Sequence, residues 1–221
     1  MKSNKSNIKK LTVIAMFSAL AYISTFIFHF PVQFLTFDPK DAVITIGAMF
    51  FGPISGITMS ALVALCEFIT ISDTGPYGLI MNFISSAVFS TVAPLIYKHR
   101  RKLSGAIIGL VCSVLATTAV MMIANLIVTP HFIGGTAGDV AKLIPTLLLP
   151  FNFTKSMLNA GLVLLLYKPV TTALRSIKLI EKSSSHTKNK DIKSNVIILI
   201  SAIVVIVVSF AVFYFVLGAK F

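Results

Sequence analysis

Polar residues interrupt this chain at long intervals, and the apolar runs between them are long enough to cross a bilayer. A hydrocarbon core of about 30 Å needs about 20 helical residues. Residues 11–28 form the first such run, after a start carrying Lys2, Lys5, Lys9 and Lys10. The segment FPVQFLTFDPKD at 30–41 breaks the pattern. Pro31 and Pro39 oppose helix, and Asp38, Lys40 and Asp41 predict an exposed loop with apolar teeth at Phe34, Leu35 and Phe37. Residues 42–71 are apolar again but carry Gly52-Pro53 at their centre, which fits one kinked helix or two shorter ones. Further spans follow at 78–97, 103–128 and about 142–167. A turn at 72–77 and an outer loop at 129–139, with Pro130 and Gly134-Gly135, separate them. The last run, 195–217, contains no charge.

Charge resolves the ambiguity at Gly52-Pro53. Basic residues collect on the cytoplasmic side of membrane proteins. With a basic, cytoplasmic N-terminus, the cluster at 98–102 falls inside only if 42–71 crosses twice. Two helices are therefore expected, the first so short that it must be tilted or shielded by neighbours. In the resulting seven-span arrangement only Lys40, Lys142, Lys155 and Lys220 escape the inner side. The expected fold is an all-α polytopic membrane protein. Residues 1–168 make its core, 169–194 a basic cytoplasmic linker, and 195–218 an additional C-terminal transmembrane helix.

Composition narrows the function. The chain is 56% hydrophobic and only 12% charged, leaving no room for a soluble domain. A net charge of +12 would point to nucleic acid in a soluble protein. Here the charge lies between spans, so no nucleic-acid partner is expected. The basic start resembles a secretory leader, but the run behind it is long enough to span and more spans follow, so cleavage is not expected. Cys66 and Cys112 sit in apolar runs and read as packing residues. No phosphate loop, HExxH, cysteine cluster or GxSxG elbow occurs. Glu67 or Asp73 as a base leaves a small membrane enzyme as an alternative.

The strongest chemical signal is Lys155, deep in an apolar run. A lysine at the bilayer centre costs about 2.5–3.5 kcal/mol on insertion scales, so it should face a cavity or a partner. Asn152, Lys155 and Asn159 are spaced i, i+3, i+7 and share one helix face. Asp41, Glu67, Asn82 and Asn125 also fall towards outer span ends. Glu67 reads equally as interfacial or pocket-lining. The set predicts an outward-facing pocket for a compact, mostly neutral ligand with a hydrogen-bonding edge and a flat apolar body. Asparagine supplies donor and acceptor together, and lysine a donor. Phe34, Phe37, Tyr77 and Phe151 could cover a ring face. Ala15 and Ala19 form a small-xxx-small pair that admits close helix approach.

Several of these segments together resemble one family. They are Ala15/Ala19, FLTFDPKD at 34–41, FGPISG at 51–56, SDTGPYGLIMNF at 72–83, and LLLPFNFTK at 147–155 following Asn125. Over residues 8–170 the chain resembles the substrate-binding S components of energy-coupling factor (ECF) vitamin transporters, above all the riboflavin-specific members. The resemblance implies a six-helix core that binds vitamin from outside a bacterial plasma membrane. It also implies docking on a membrane coupling subunit that carries two ATPase subunits. It makes the chain a transport subunit without catalysis or cofactor, riboflavin being its cargo. Asn125, Asn152 and Lys155 would bond the polar edge of the isoalloxazine, with Glu67, Asp41 and Tyr77 in the pocket. The loop at 34–41, with Leu35 and Thr36, would close over the ligand, and Ala15 and Ala19 would form the docking face. A flavin phosphate, reached by Lys40, or thiamine, disfavoured by Lys155, are the alternative cargoes. The extra span lies outside the resemblance.

Overall fold

The computed structural model describes residues 2–99, 103–176 and 191–215. The basic residues 100–102, most of the linker and the end of the last span lie outside the described residues. Helix α1 (Lys2–Ile27) leads into a two-stranded antiparallel hairpin, β1 (Phe30–Val32) and β2 (Leu35–Phe37). Helices α2 (Lys40–Phe51), α3 (Pro53–Thr70), α4 (Gly75–His99) and α5 (Leu103–Ile133) follow. Short α6 (Ala137–Leu143) passes through a π-helical turn, Ile144–Leu148, into α7 (Leu149–Ser176). The last element is α8 (Asp191–Phe215).

The break at Gly52-Pro53 does make two helices. Gly52 has φ +95°, a conformation glycine adopts at little cost. Pro53 then starts α3 where its missing N–H is not needed. The 12-residue α2 is shorter than the roughly 20 residues of an unshielded span. It is tolerated because α1, α3, α4 and α7 surround it, and Ala42, Ile44 and Ala48 are wholly buried. Among the described residues, five segments are long and apolar enough to cross a membrane: α1, α3, α4, α5 and the stretch 137–176. The protein is thus a multi-pass helical membrane protein.

Small residues set the helix spacing, as expected where lipid gives no hydrophobic drive. A Cβ on Gly56 would stand 2.6 Å from the Ser90 carbonyl oxygen. Nearby, the Ser60 and Ser90 hydroxyls meet at 3.3 Å. Gly56→Ala should therefore push α3 from α4 and cost at least ~1 kcal/mol by overpacking. A lower thermal unfolding midpoint of the detergent-solubilised protein would register it; an unchanged midpoint would mean that α4 gives way freely.

Two expected loops are corrected. Residues 129–139 are not an open loop. Helix α5 runs through Pro130 to Ile133, and α6 begins at Ala137 behind a Thr136–Asp139 capping box. Membrane helices tolerate such prolines because neighbouring groups satisfy the freed carbonyl. Residues 30–37 are a hairpin turning at Gln33, whose φ is +55°, and α2 starts at Lys40. The hairpin exit is not exposed: Phe37, Asp38, Lys40 and Asp41 are each at most 3% accessible. The turn expected at 72–77 also shortens, since α4 already starts at Gly75.

Candidate functional site

At the hairpin end of the bundle, β2, α3, α4, α5 and α7 enclose a cavity of about 320 Å³. That lies at the low end of the range for small-molecule sites. Leu35, Thr36, Glu67, Tyr77, Asn125, Asn152 and Lys155 all line it. Asp41 does not. It lies behind the wall, where Ser86 Oγ donates a short hydrogen bond to its Oδ1.

Lys155 has found partners. Its Nζ lies 3.0 Å from Asp38 Oδ2 and donates to the Thr36 carbonyl at 3.0 Å. The same Asp38 oxygen is 3.2 Å from Lys40 Nζ. Lys40 continues to Glu67 Oε2 at 2.7 Å, which also accepts from Asn82 Nδ2 at 3.0 Å. One polar chain therefore joins α7, the hairpin exit, α2, α3 and α4. Buried ions stand only when each is paired and hydrogen-bonded, and this chain meets that condition for both lysines. Asp38 Oδ1 and Glu67 Oε1 accept from no group among the described residues. Asp38 sits between β2 and α2. Burial would raise its carboxyl, but the ammoniums of Lys155 and Lys40 outweigh this and hold it at about 2, below its ordinary 3.8.

The expected polar face of α7 divides. Asn152 and Lys155 line the cavity, whereas Asn159 fastens the chain beneath it. Asn159 Oδ1 accepts from Ala42 N at 2.9 Å, and its Nδ2 donates to the Asp38 carbonyl at 3.2 Å. Asn152 Nδ2 donates to the Leu148 carbonyl at 2.7 Å, inside the π-helical turn. Asn125 Nδ2 donates to Met121 O at 2.7 Å, and its Oδ1 accepts from Thr129 Oγ1 at 2.9 Å. These bonds orient both amides and leave each a second N–H and further acceptor capacity.

Phe34, Tyr77 and Phe151 line the cavity, joined by Phe132, with the Phe34 and Tyr77 rings 6.3 and 6.2 Å from that of Phe132. Phe37, expected to cover a ring face, instead points behind the hairpin, 5.3 Å from the Phe213 ring. Sequence reasoning missed Asp38 as a site residue and gave Lys40 only as a reach for a flavin phosphate. The signal was available: a buried Lys155 requires a nearby anion, and Asp38 lies just ahead of the helix that packs beside it. Ala15 and Ala19 are both exposed on α1, while Val13, Phe17 and Ala21 face the core.

Residues 9–167 match the ECF transporter substrate-specific component family. The chain belongs to that family. This substrate-specific component is 31% identical over 186 residues to the riboflavin transporter RibU of Staphylococcus aureus (strain TCH60), spanning 80% of this chain and 97% of that one. It is 28% identical over 123 residues to the riboflavin transporter FmnP of Bacillus subtilis (strain 168), covering 53% of this chain and 65% of the other. Its fold is similar to a solved S component of a bacterial ECF transporter, with a TM-score of 0.66 and 30% identity over 76% of this chain and 99% of that one. As an S component it is a transporter subunit that associates with an ECF module.

Proposed function

We propose that this substrate-specific component binds riboflavin from the outer face of a bacterial plasma membrane and delivers it inward. In this reading it docks through Ala15 and Ala19 on a coupling membrane subunit carrying two ATPase subunits, which supply the energy. The N-terminus is cytoplasmic, α1 to α7 make six crossings over residues 1–168, 169–194 is the linker, and α8 is a further crossing.

The observation that carries the cargo assignment is a cavity with amide donors and acceptors on one wall and aromatic rings on another. Asn125, Asn152 and Lys155 suit the polar edge of an isoalloxazine. Tyr77, Phe34 and Phe151 suit its faces. The open acceptors Asp38 Oδ1 and Glu67 Oε1 suit ribityl hydroxyls. Both relatives named above are riboflavin transporters, which agrees with that chemistry. The carrying experiment is an absorption spectrum of detergent-purified protein, followed by fluorescence titration with riboflavin. A bound flavin, or submicromolar quenching, is expected; micromolar or weaker binding would remove the assignment.

Asn152→Leu tests the amide's share. It should weaken riboflavin about 2–10-fold, the net value of one hydrogen bond. A larger loss would mean that the side chain shapes the wall as well as bonding the ligand.

The phosphate ester is the weaker cargo. Lys40 and Lys155 are each already paired with carboxylates, so neither offers a free positive charge to a phosphate. Riboflavin should outcompete its phosphate for one site. The enzyme alternative loses one of its two candidate bases, because Glu67 is held by Lys40 and Asn82, which leaves it Asp73 at the cavity wall.

A further inference from the structure

Helix α8 lies beyond the residues matched to the family, 9–167. From residue 195 onward it carries no charge, yet it is not packed at random. It lies along α7, and a Cβ on Gly161 would stand 3.1 Å from Ile206 Cγ1 and 3.3 Å from Val205 Cγ1. The chain reaches the site from there. Phe213 is 1% accessible, and its ring lies 5.3 Å from Phe37 and 5.8 Å from Phe151. Phe210 lies 6.3 Å from Phe37 and 6.4 Å from Phe30. Phe37 stands between Thr36 and Asp38, the two residues that hold Lys155. Phe151 precedes Asn152 and lines the cavity itself.

We propose that α8 is a brace for the pocket's cover: Phe213, assisted by Phe210, positions the β1–β2 hairpin and Phe151 from behind and so sets how long the pocket stays closed. Two three-residue strands cannot hold a shape in isolation. This hairpin is fixed at its exit by Lys155 and Asn159 and at its back by the two α8 rings. Loss of the rings leaves the polar ties intact but frees the tip and the front strand to swing. Phe213 and Phe210 do not line the cavity, so they are positioning residues. The effect should fall on release, since opening precedes departure, with association changed little.

The release readout rests on the flavin assignment; the exchange readout does not. Hydrogen–deuterium exchange of the amides of residues 30–37 is measured on ligand-free, full-length protein in detergent. Riboflavin release is followed by stopped-flow fluorescence. Phe213→Ala should raise exchange across the hairpin, leave α3 and α5 protected, and speed release by ~10-fold or more, as loss of a buried ring from a packed cluster implies. Phe210→Ala should act in the same direction, and Phe213→Leu should fall between Phe213→Ala and wild type. Ile206→Ala, which loosens α8 on α7 without touching the hairpin, should change neither readout. Wild-type exchange in Phe213→Ala would overturn the brace, as would equal effects from Ile206→Ala. If Phe213→Ala does not fold, Phe213→Leu and Phe210→Ala carry the same test. Should the wild-type protein bind no riboflavin, the cargo assignment fails and the exchange data still decide the brace.

Discussion

Asp38→Ala is expected to abolish high-affinity riboflavin binding. The substitution removes the one oxygen that both Lys155 and Lys40 approach, at 3.0 and 3.2 Å. Among the described residues it leaves Lys155 hydrogen-bonded only to the Thr36 carbonyl and Lys40 only to Glu67. Breaking a buried ion pair by deleting one partner costs about 3–5 kcal/mol, because the remaining charge is stranded. Part of that cost will be relieved by rearrangement, and the part that can move is the hairpin exit. Affinity should fall by more than ~100-fold, the equivalent of about 2.7 kcal/mol. Fluorescence titration reads the loss, and exchange at residues 30–37 identifies its origin. Retention of submicromolar binding would show that the hairpin closes without its ion pairs.

Lys155→Ala should be the second most damaging change. It deletes a bond to Thr36 O, an ion pair with Asp38 and a donor at the cavity wall, but Asp38 keeps Lys40. Loss of a charge-assisted hydrogen bond costs about 1.5–3 kcal/mol, or roughly 10–150-fold in affinity. Lys155→Arg is a useful comparison: it keeps the charge but brings a planar fork to a site built around a compact ammonium. Partial recovery is expected from arginine. Unchanged affinity in Lys155→Ala would detach this residue from ligand binding altogether.

Much of this architecture is legible in the chain. Apolar runs mark the spans, and Gly52-Pro53 together with the charge rule yields the short α2. A lysine and two asparagines at helical spacing in lipid-soluble sequence point to a site on α7. Burial was the part that local sequence concealed. Asp38, Lys40 and Asp41, flanked by prolines, have the composition of a surface turn. Only long-range contacts from α3 and α7, each far away in sequence, turn them into an internal ion chain. Asn159 shares a face with Lys155, yet its fate depended on where α2 begins. Phe37 was misassigned for a related reason: the alternation of a hairpin strand gives two faces, and the position of α8 decides which one is covered. Pro130 looked like a helix end because the rule that makes it so belongs to water.

The carboxyl at the hairpin exit carries a last consequence. Its folded value of about 2 lies below the ordinary 3.8, so the folded state gains from its ionisation at all pH above 3.8 and loses that gain only as pH falls towards 2. Mild acidification therefore leaves the Asp38 carboxylate charged, and the hairpin exit stays tied by that charge to α7 and to the head of α2.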